Sequence, residues 1–447
     1  MRGAAILGAL LLAGCASYTP QPLELESSIS ALEPTVAHIL EQSASKVERP
    51  WLAPVDVDLA APLSLDAISA LAVVNNPDLA ALRARAGVSS AQVFAAGLLP
   101  DPTFSIGANK VLSGPDTMLD VSGALGFDIN SLRTRAVRRE MAVAQDKQVR
   151  LDLAWSEWQT AGQAKIQAVR IVRLERIIDL ARTSRNSAQS LAARISGAAA
   201  RGDIAGDRLQ AANLAAASAN EALRIAENDL TAARGDLRKL LGLPPDYPLA
   251  IADPPAFAPP PLADTLLSLA RDNRTDLAAL RAGYDAQEAA VHQAVLEQFP
   301  NLGLTLNSQR DSAGNLLAGP AVDFTLPLWN RNRGAIAVER ATREALRTEY
   351  DARLFQTRAD IAAAIAGIAT SRQRRAEALA DIPRLEQFAS ASRRAASRGD
   401  LSLETAENAE QALRDRQMQL AQAEQDYAEQ MIALELLAGT PRGAWPQ

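Results

Sequence analysis

One cysteine and two histidines offer this chain its most direct routes to nucleophilic or metal chemistry. Cys15 is alone and forms no internal disulfide. His38 and His292 stand far apart, and neither lies beside a motif that would build a zinc site or a Ser-His-Asp arrangement around it. No catalytic residue, metal site or soluble cofactor is therefore assigned. His292 falls in a helical run and reads as a helix-surface residue. The remaining chemistry is structural. Arg201-Gly202-Asp203 and Arg398-Gly399-Asp400 repeat one short charged step, and Gly242 and Gly439 repeat the end of the segment that follows it, at an offset of 197 positions (398 − 201 and 439 − 242).

Cys15 has a telling context. Met1-Arg2-Gly3 is a short basic start. Ala4 to Ala13 is an apolar run too short to span a bilayer as a helix, and it ends Leu12-Ala13-Gly14-Cys15. The shape is that of a secretory signal peptide. The small-small-Cys ending resembles the bacterial lipoprotein signal, which implies a covalent lipid on Cys15. By the same resemblance Ala16 favours sorting to the outer membrane.

Each Arg-Gly-Asp step must be held by long helices. Leu223, Leu230 and Leu237 follow the first step in heptad spacing, and Leu413, Leu420, Tyr427 and Leu434 follow the second. Position 223 plus 197 is 420, so the apolar registers coincide. A Gly-Asp step before such a run reads as a helix stop, with Gly as terminator and Asp as cap of the next helix. Each step is then the tip of a long antiparallel helical hairpin.

Composition agrees. Only 4% of the 447 residues are aromatic, 48% are apolar and 22% charged, and the net charge is −6. Low aromatic content with abundant alanine suits close-packed long helices better than a globular enzyme core. Mild acidity argues against nucleic acid as a partner.

The segment order can be read from period and punctuation. Residues 1–14 are the signal peptide, and 15–62, punctuated by proline, form an extended tether. The first repeat spans 63–245. Ser64 caps a helix running to about Leu99 with an interruption at Asn76-Pro77. Two alternating strands follow at about 103–129, with Val121, Gly123, Leu125, Phe127 and Ile129 on one face. A helix from about Ser131 to Ala200 leads to the tip near Gly202, and a return helix ends at Gly242. Residues 246–262 are a Pro-rich linker rather than a core element. The second repeat, 263–442, restates the first. Asp276-Leu277-Ala278-Ala279-Leu280-Arg281-Ala282 matches Asp78 to Ala84 at an offset of 198. Strands lie at about 302–328, where Val322, Phe324, Leu326 and Leu328 alternate, and the tip lies near Gly399. Pro383 should kink or break the long helix. A tail occupies 443–447.

Four amphipathic strands in an exported chain are the informative oddity. A sheet in hydrocarbon must close on itself, and single-chain barrels begin at about eight strands. A membrane location thus demands several chains per barrel; a soluble sheet under helices is the alternative. The long helices carry charges throughout, for example Arg138-Arg139-Glu140 and Arg372-Gln373-Arg374-Arg375, and must stand in water.

In order and duplication these features resemble the TolC family of outer-membrane efflux channels. The residues that carry the likeness are Leu12 to Cys15, Asn75-Asn76-Pro77-Asp78-Leu79, Gly97-Leu98-Leu99-Pro100-Asp101-Pro102 and Phe324-Thr325-Leu326-Pro327-Leu328-Trp329-Asn330-Arg331-Asn332-Arg333-Gly334, with the paired glycines. The branch serving heavy-metal and related resistance-nodulation-division pumps is the most similar. The resemblance implies a mainly α fold with a small β part, in which a homotrimer builds an α-barrel and a shared twelve-stranded β-barrel in outer-membrane lipid. It implies no enzyme activity but passive export of small molecules or metal ions, with a periplasmic adaptor and an inner-membrane pump as partners. Arg201, Gly202, Asp203, Arg398, Gly399, Asp400 and Ser402 become adaptor-docking tips. The family often places a carboxylate six residues after the second tip glycine; here that residue is Thr405, which leaves Glu404 and Glu407 as candidate gate residues sharing a helix face. Trp155 and Trp158 read as packing residues. A protein-secretion channel and a non-pore helical scaffold lipoprotein are the alternative functions.

Overall fold

The computed structural model of the chain describes residues 18–30, 57–110, 112–113, 119–310 and 314–446. After a short helix α1 (Leu25–Ser30), the first repeat runs α2 (Leu65–Asn75), α3 (Pro77–Gly97), β1 (Thr103–Lys110), β2 (Leu119–Asp128), α4 (Ile129–Ala200) and α5 (Gly206–Leu240). The second runs α6 (Ala263–Asn273), α7 (Thr275–Leu296), β3 (Leu302–Arg310), β4 (Leu316–Phe324), α8 (Arg333–Arg398) and α9 (Leu403–Ala438), with a closing 3-10 turn at Arg442–Ala444. At 1.5 Å per residue, α4 alone is roughly 110 Å long.

Local chemistry explains the boundaries. Ser64 caps α2 by accepting the Ala67 amide at 3.2 Å. Asn76 ends α2 and caps α3, accepting the Leu79 amide at 3.0 Å, while Pro77 opens the helix. The expected interruption is thus a capped joint. Asp128 accepts the Ser131 amide at 3.0 Å. That cap starts α4 at Ile129, which therefore belongs to the helix and not to the alternating strand.

The joint is also where the repeats lock. Asn76 donates from its side chain to the Leu240 carbonyl at the end of α5, at 3.1 Å. Its equivalent, 198 positions on, is Arg274, which joins α6 to α7 and pairs with Asp276 at 2.7 Å. Gly242 and Gly439, at φ +62° and +68°, turn the chain directly against these joints. A Cβ on Gly242 would overlap the Asn75 carbonyl, and one on Gly439 would lie 2.9 Å from the Arg274 backbone nitrogen. Two apolar cores lie at this level, the first drawing Ala428 and Ile432 from α9 of the second repeat. Ile68, Leu71, Ile171, Leu237 and Leu241 form one, and Leu266, Ile361, Ile368, Met431 and Leu434 the other.

Three expectations are corrected. The linker is not free of the core: Leu63 and Ile251 form a parallel bridge, and Tyr247, Leu249, Ile251 and Phe257 pack on the first core. Pro383 does not break α8, which is continuous through it. Leu379, whose carbonyl loses its partner, sits on an exposed turn that water can reach. The last strand lies earlier than the alternation suggested, at Leu316–Phe324 rather than 322–328. Pro327 has no amide to donate to the ladder, and Leu328 instead donates to the Leu326 carbonyl at 2.9 Å in a turn.

Gly439→Ala should lower the melting temperature of the purified protein, because it combines a left-handed backbone with an overlap on Arg274. The expected loss is about 1–3 kcal/mol. Gly235→Ala, where nothing lies within 4 Å of the new Cβ, should not destabilise.

Candidate functional site

Two regions present chemistry to the surroundings: the hairpin tips and the sheet. The tips are built alike. The Gly202 amide donates to the Ala199 carbonyl and the Asp203 amide to the Ala198 carbonyl, both at 3.0 Å. Gly399 and Asp400 donate likewise to Ala396 and Ala395, at 3.1 and 3.0 Å. Each is the double bond pattern that satisfies the last carbonyls of a helix when a glycine takes the left-handed region. Both glycines have φ +82°. Space around them is open, with nothing within 4 Å of an added Cβ. Their requirement within the chain is the reversal, not a close approach.

The acids do not cap the return helices, contrary to the expectation from sequence. Asp203 pairs with Arg201 at 2.9 Å and Asp400 with Arg398 at 2.8 Å, each across two residues over its glycine. The caps fall two residues further on. At the second tip Ser402 accepts the Thr405 amide at 3.1 Å and exchanges a 2.7 Å hydroxyl hydrogen bond with the Thr405 side chain. At the first tip the equivalent residue is Ala205, which offers no side-chain cap. Thr405, six residues after the second tip glycine, is thus part of a local cap. Glu404 is exposed in the first turn of α9. Glu407 lies 3.8 Å from Arg414, which is itself buried and also faces Glu410 at 3.5 Å.

The sheet is antiparallel in the order β1-β2-β3-β4, so β2 and β3 join the two repeats. Register sorts its residues by face. Phe104 pairs with Leu125, Leu306 and Pro320 across the sheet; Phe127 pairs with Leu304 and Val322. The other face carries Ser105, Ala124, Asn307 and Gly319 in one row and Gly126, Thr305 and Ala321 in another. One face is therefore apolar and the other small or polar. The apolar face is uncovered: Phe104 and Ile106 are 73% and 76% exposed. β1 pairs only with β2 and β4 only with β3, leaving a free edge on each side.

Cys15 and His38 lie outside the described residues. His292 is exposed on α7. Among the described residues no group of three His, Cys, Asp or Glu could hold a metal ion, and no helix is long and apolar enough to cross a membrane. Trp158 is buried and donates from its indole to the Leu436 carbonyl at 3.2 Å, and Trp155 carries the Arg274 guanidinium 4.6 Å above its ring. Both pack, as the sequence suggested.

The comparisons with known proteins bear on this geometry. The family model for outer membrane efflux proteins matches residues 266–440. That match lies within the second repeat. Solved structures extend the likeness to the whole fold. The CmeC outer membrane channel of Campylobacter jejuni aligns with a TM-score of 0.71 at 16% identity, over 84% of this chain and 85% of that one. The outer membrane protein VceC of Vibrio cholerae aligns at 0.69 and 17% identity, over 84% and 96%. The open state of the MtrE outer membrane channel of Neisseria gonorrhoeae aligns at 0.66 and 17%, over 84% and 89%. No curated protein matches in sequence. The first repeat, outside the match to the family model, has the same element order and the same tip as the second, and its likeness to the solved structures is one of fold.

Sequence reading missed the ion pairs that hold the helices together. Glu157, wholly buried, accepts from Arg83 at 2.8 Å, and Glu435 accepts from both Lys165 at 2.9 Å and Arg442 at 2.7 Å. Their partners lie up to 270 positions apart, and no local pattern announces them.

Ser402→Ala should weaken the second tip alone. Amide exchange at the first turn of α9 should speed up by a factor matching about 1 kcal/mol, while the first turn of α5 stays unchanged.

Proposed function

We propose that three copies of this chain form one passive conduit of a tripartite efflux system, with the sheets in the outer membrane and the helical hairpins in the periplasm. The observation that carries this reading is the sheet: an uncovered apolar face, a small and polar opposite face, and two free edges. Three such sheets joined edge to edge give twelve strands, within the range of outer-membrane barrels. The apolar face then meets lipid and the polar face the lumen, and every ladder group finds a partner. Helices roughly 110 Å long carry the tips far from the membrane.

In this reading the tips meet a periplasmic adaptor, which is bound in turn to an inner-membrane pump, and Cys15 holds the chain to outer-membrane lipid. Gly202 and Gly399, with Arg201, Asp203, Arg398, Asp400 and Ser402 about them, make up the docking surface. Glu404 is the better of the two candidate gate acids. It faces solvent without an ion pair among the described residues, whereas Glu407 faces Arg414. The export cargo is a small solute or ion, moved without any chemical step in this chain.

Purified from membranes, the protein should run as a trimer and conduct ions in planar bilayers. Gly399→Trp should abolish export in cells yet leave the trimer intact. A protein that stays monomeric, or a trimer that never conducts even with the tip charges removed, would overturn the proposal.

A further inference from the structure

The Pro-rich crossing between the repeats roofs a cavity of about 290 Å³. Arg173 of α4 and Glu424 of α9 line it, with Arg372 and Arg375 of α8. Phe257 and Tyr427 close one side, edge to face at 6.1 Å.

The charges there do not balance. Glu424 accepts from Arg173 at 2.7 Å and faces Arg375 at 3.5 Å and Arg176 at 3.6 Å. Arg176 turns its other nitrogen to Asp253 at 3.2 Å. Arg372 has no ion pair among the described residues. Four guanidinium groups thus meet two carboxylates, in a chain whose net charge is −6. Nor are the donors used up, since Arg173 Nε is buried and donates to no protein acceptor. Burial holds the Arg173 guanidinium below its ordinary value; Glu424 opposes this, and Arg176 and Arg375 add to it. Another negative charge would relieve that repulsion.

Helix packing does not demand this arrangement. At the 197-position offset of the repeats, Arg372 and Arg375 correspond to Glu175 and Ile178. The first repeat builds the same helix level without an arginine at either place. The aromatic side needs no polar ligand of its own, because the Tyr427 hydroxyl already donates to the Phe257 carbonyl at 3.3 Å.

We propose that this cavity is a binding site for a small multivalent oxyanion, a phosphate or a di- or tricarboxylate, held by Arg372 and Arg375 together with Arg173. Planar guanidinium forks match the oxygens of either group. The volume admits a phosphate or a compact di- or tricarboxylate. The site lies within one chain, so it stands or falls apart from the channel reading.

The test is calorimetric titration of the intact, detergent-purified protein with sodium phosphate and, separately, sodium citrate, at ionic strength fixed with sodium chloride. The expected result is saturable binding at one site per chain for at least one anion, and whichever anion binds identifies the source. Arg372→Ala should weaken that binding at least tenfold, and Arg375→Ala likewise. Arg374→Ala is the control; that side chain is 66% exposed and faces Asp426 at 3.8 Å, and its loss should change nothing. Arg372 is exposed, and melting temperatures measured without anion should confirm that Arg372→Ala is folded. Saturable heat from neither anion, or equal binding by wild type and a folded Arg372→Ala, would overturn the proposal.

Discussion

A β-strand edge carries a row of amide and carbonyl groups that must find partners. Water supplies them at a protein surface; hydrocarbon does not. In this chain β1 and β4 have such edges, and the sheet between them shows phenylalanine, isoleucine and leucine side chains to the outside. An uncovered apolar face argues for lipid, and free edges forbid lipid to a single copy. The proposed reading reconciles the two facts by letting neighbouring copies supply the missing strands. The duplicated chain brings its four strands into one sheet, two from each repeat.

Within the chain, duplication is an economy of packing more than of sequence. Both repeats end their return helix on a left-handed glycine pressed against the joint of a short-helix pair. The joint is Asn76 in one repeat and Arg274 in the other. The asparagine satisfies a carbonyl directly; the arginine pairs with Asp276 and lies over Trp155. The same backbone is kept by different chemistry. At the tips the order is reversed, with identical Arg-Gly-Asp chemistry but a side-chain cap only on the second copy. That difference makes the two tips distinguishable to anything that touches both.

Much of this could be read from the sequence, because its signals are local. Glycine terminators, the Asn76-Pro77 joint and the period-two runs each specify backbone within a few residues, and the recurrence of the glycines and of the Asp78 to Ala84 segment at offsets of 197 and 198 fixed the repeat. Where the reading failed, a nonlocal or competing interaction decided. Asp203 and Asp400 had arginines two residues away, and pairing won over capping. Alternation through Leu328 suggested a strand, but Pro327 ends the ladder and hydrophobicity alone does not reveal that. Pro383 looked disruptive because a sequence does not say which turn faces water. The run at 372–375 is exposed, as the sequence suggested; that Glu424 and Arg173 come to it from two other helices is not legible locally.

The central claim is that strands of neighbouring copies complete one barrel. Disulfide scanning tests it directly, with one cysteine placed along β1, for example Gly107→Cys, and a second along β4, for example Gly319→Cys, scanned over adjacent positions. Oxidation in intact membranes should link copies into covalent trimers at one set of pairs and leave pairs out of register unlinked. Monomers at every pair, in protein that is folded and membrane-bound, would contradict the account.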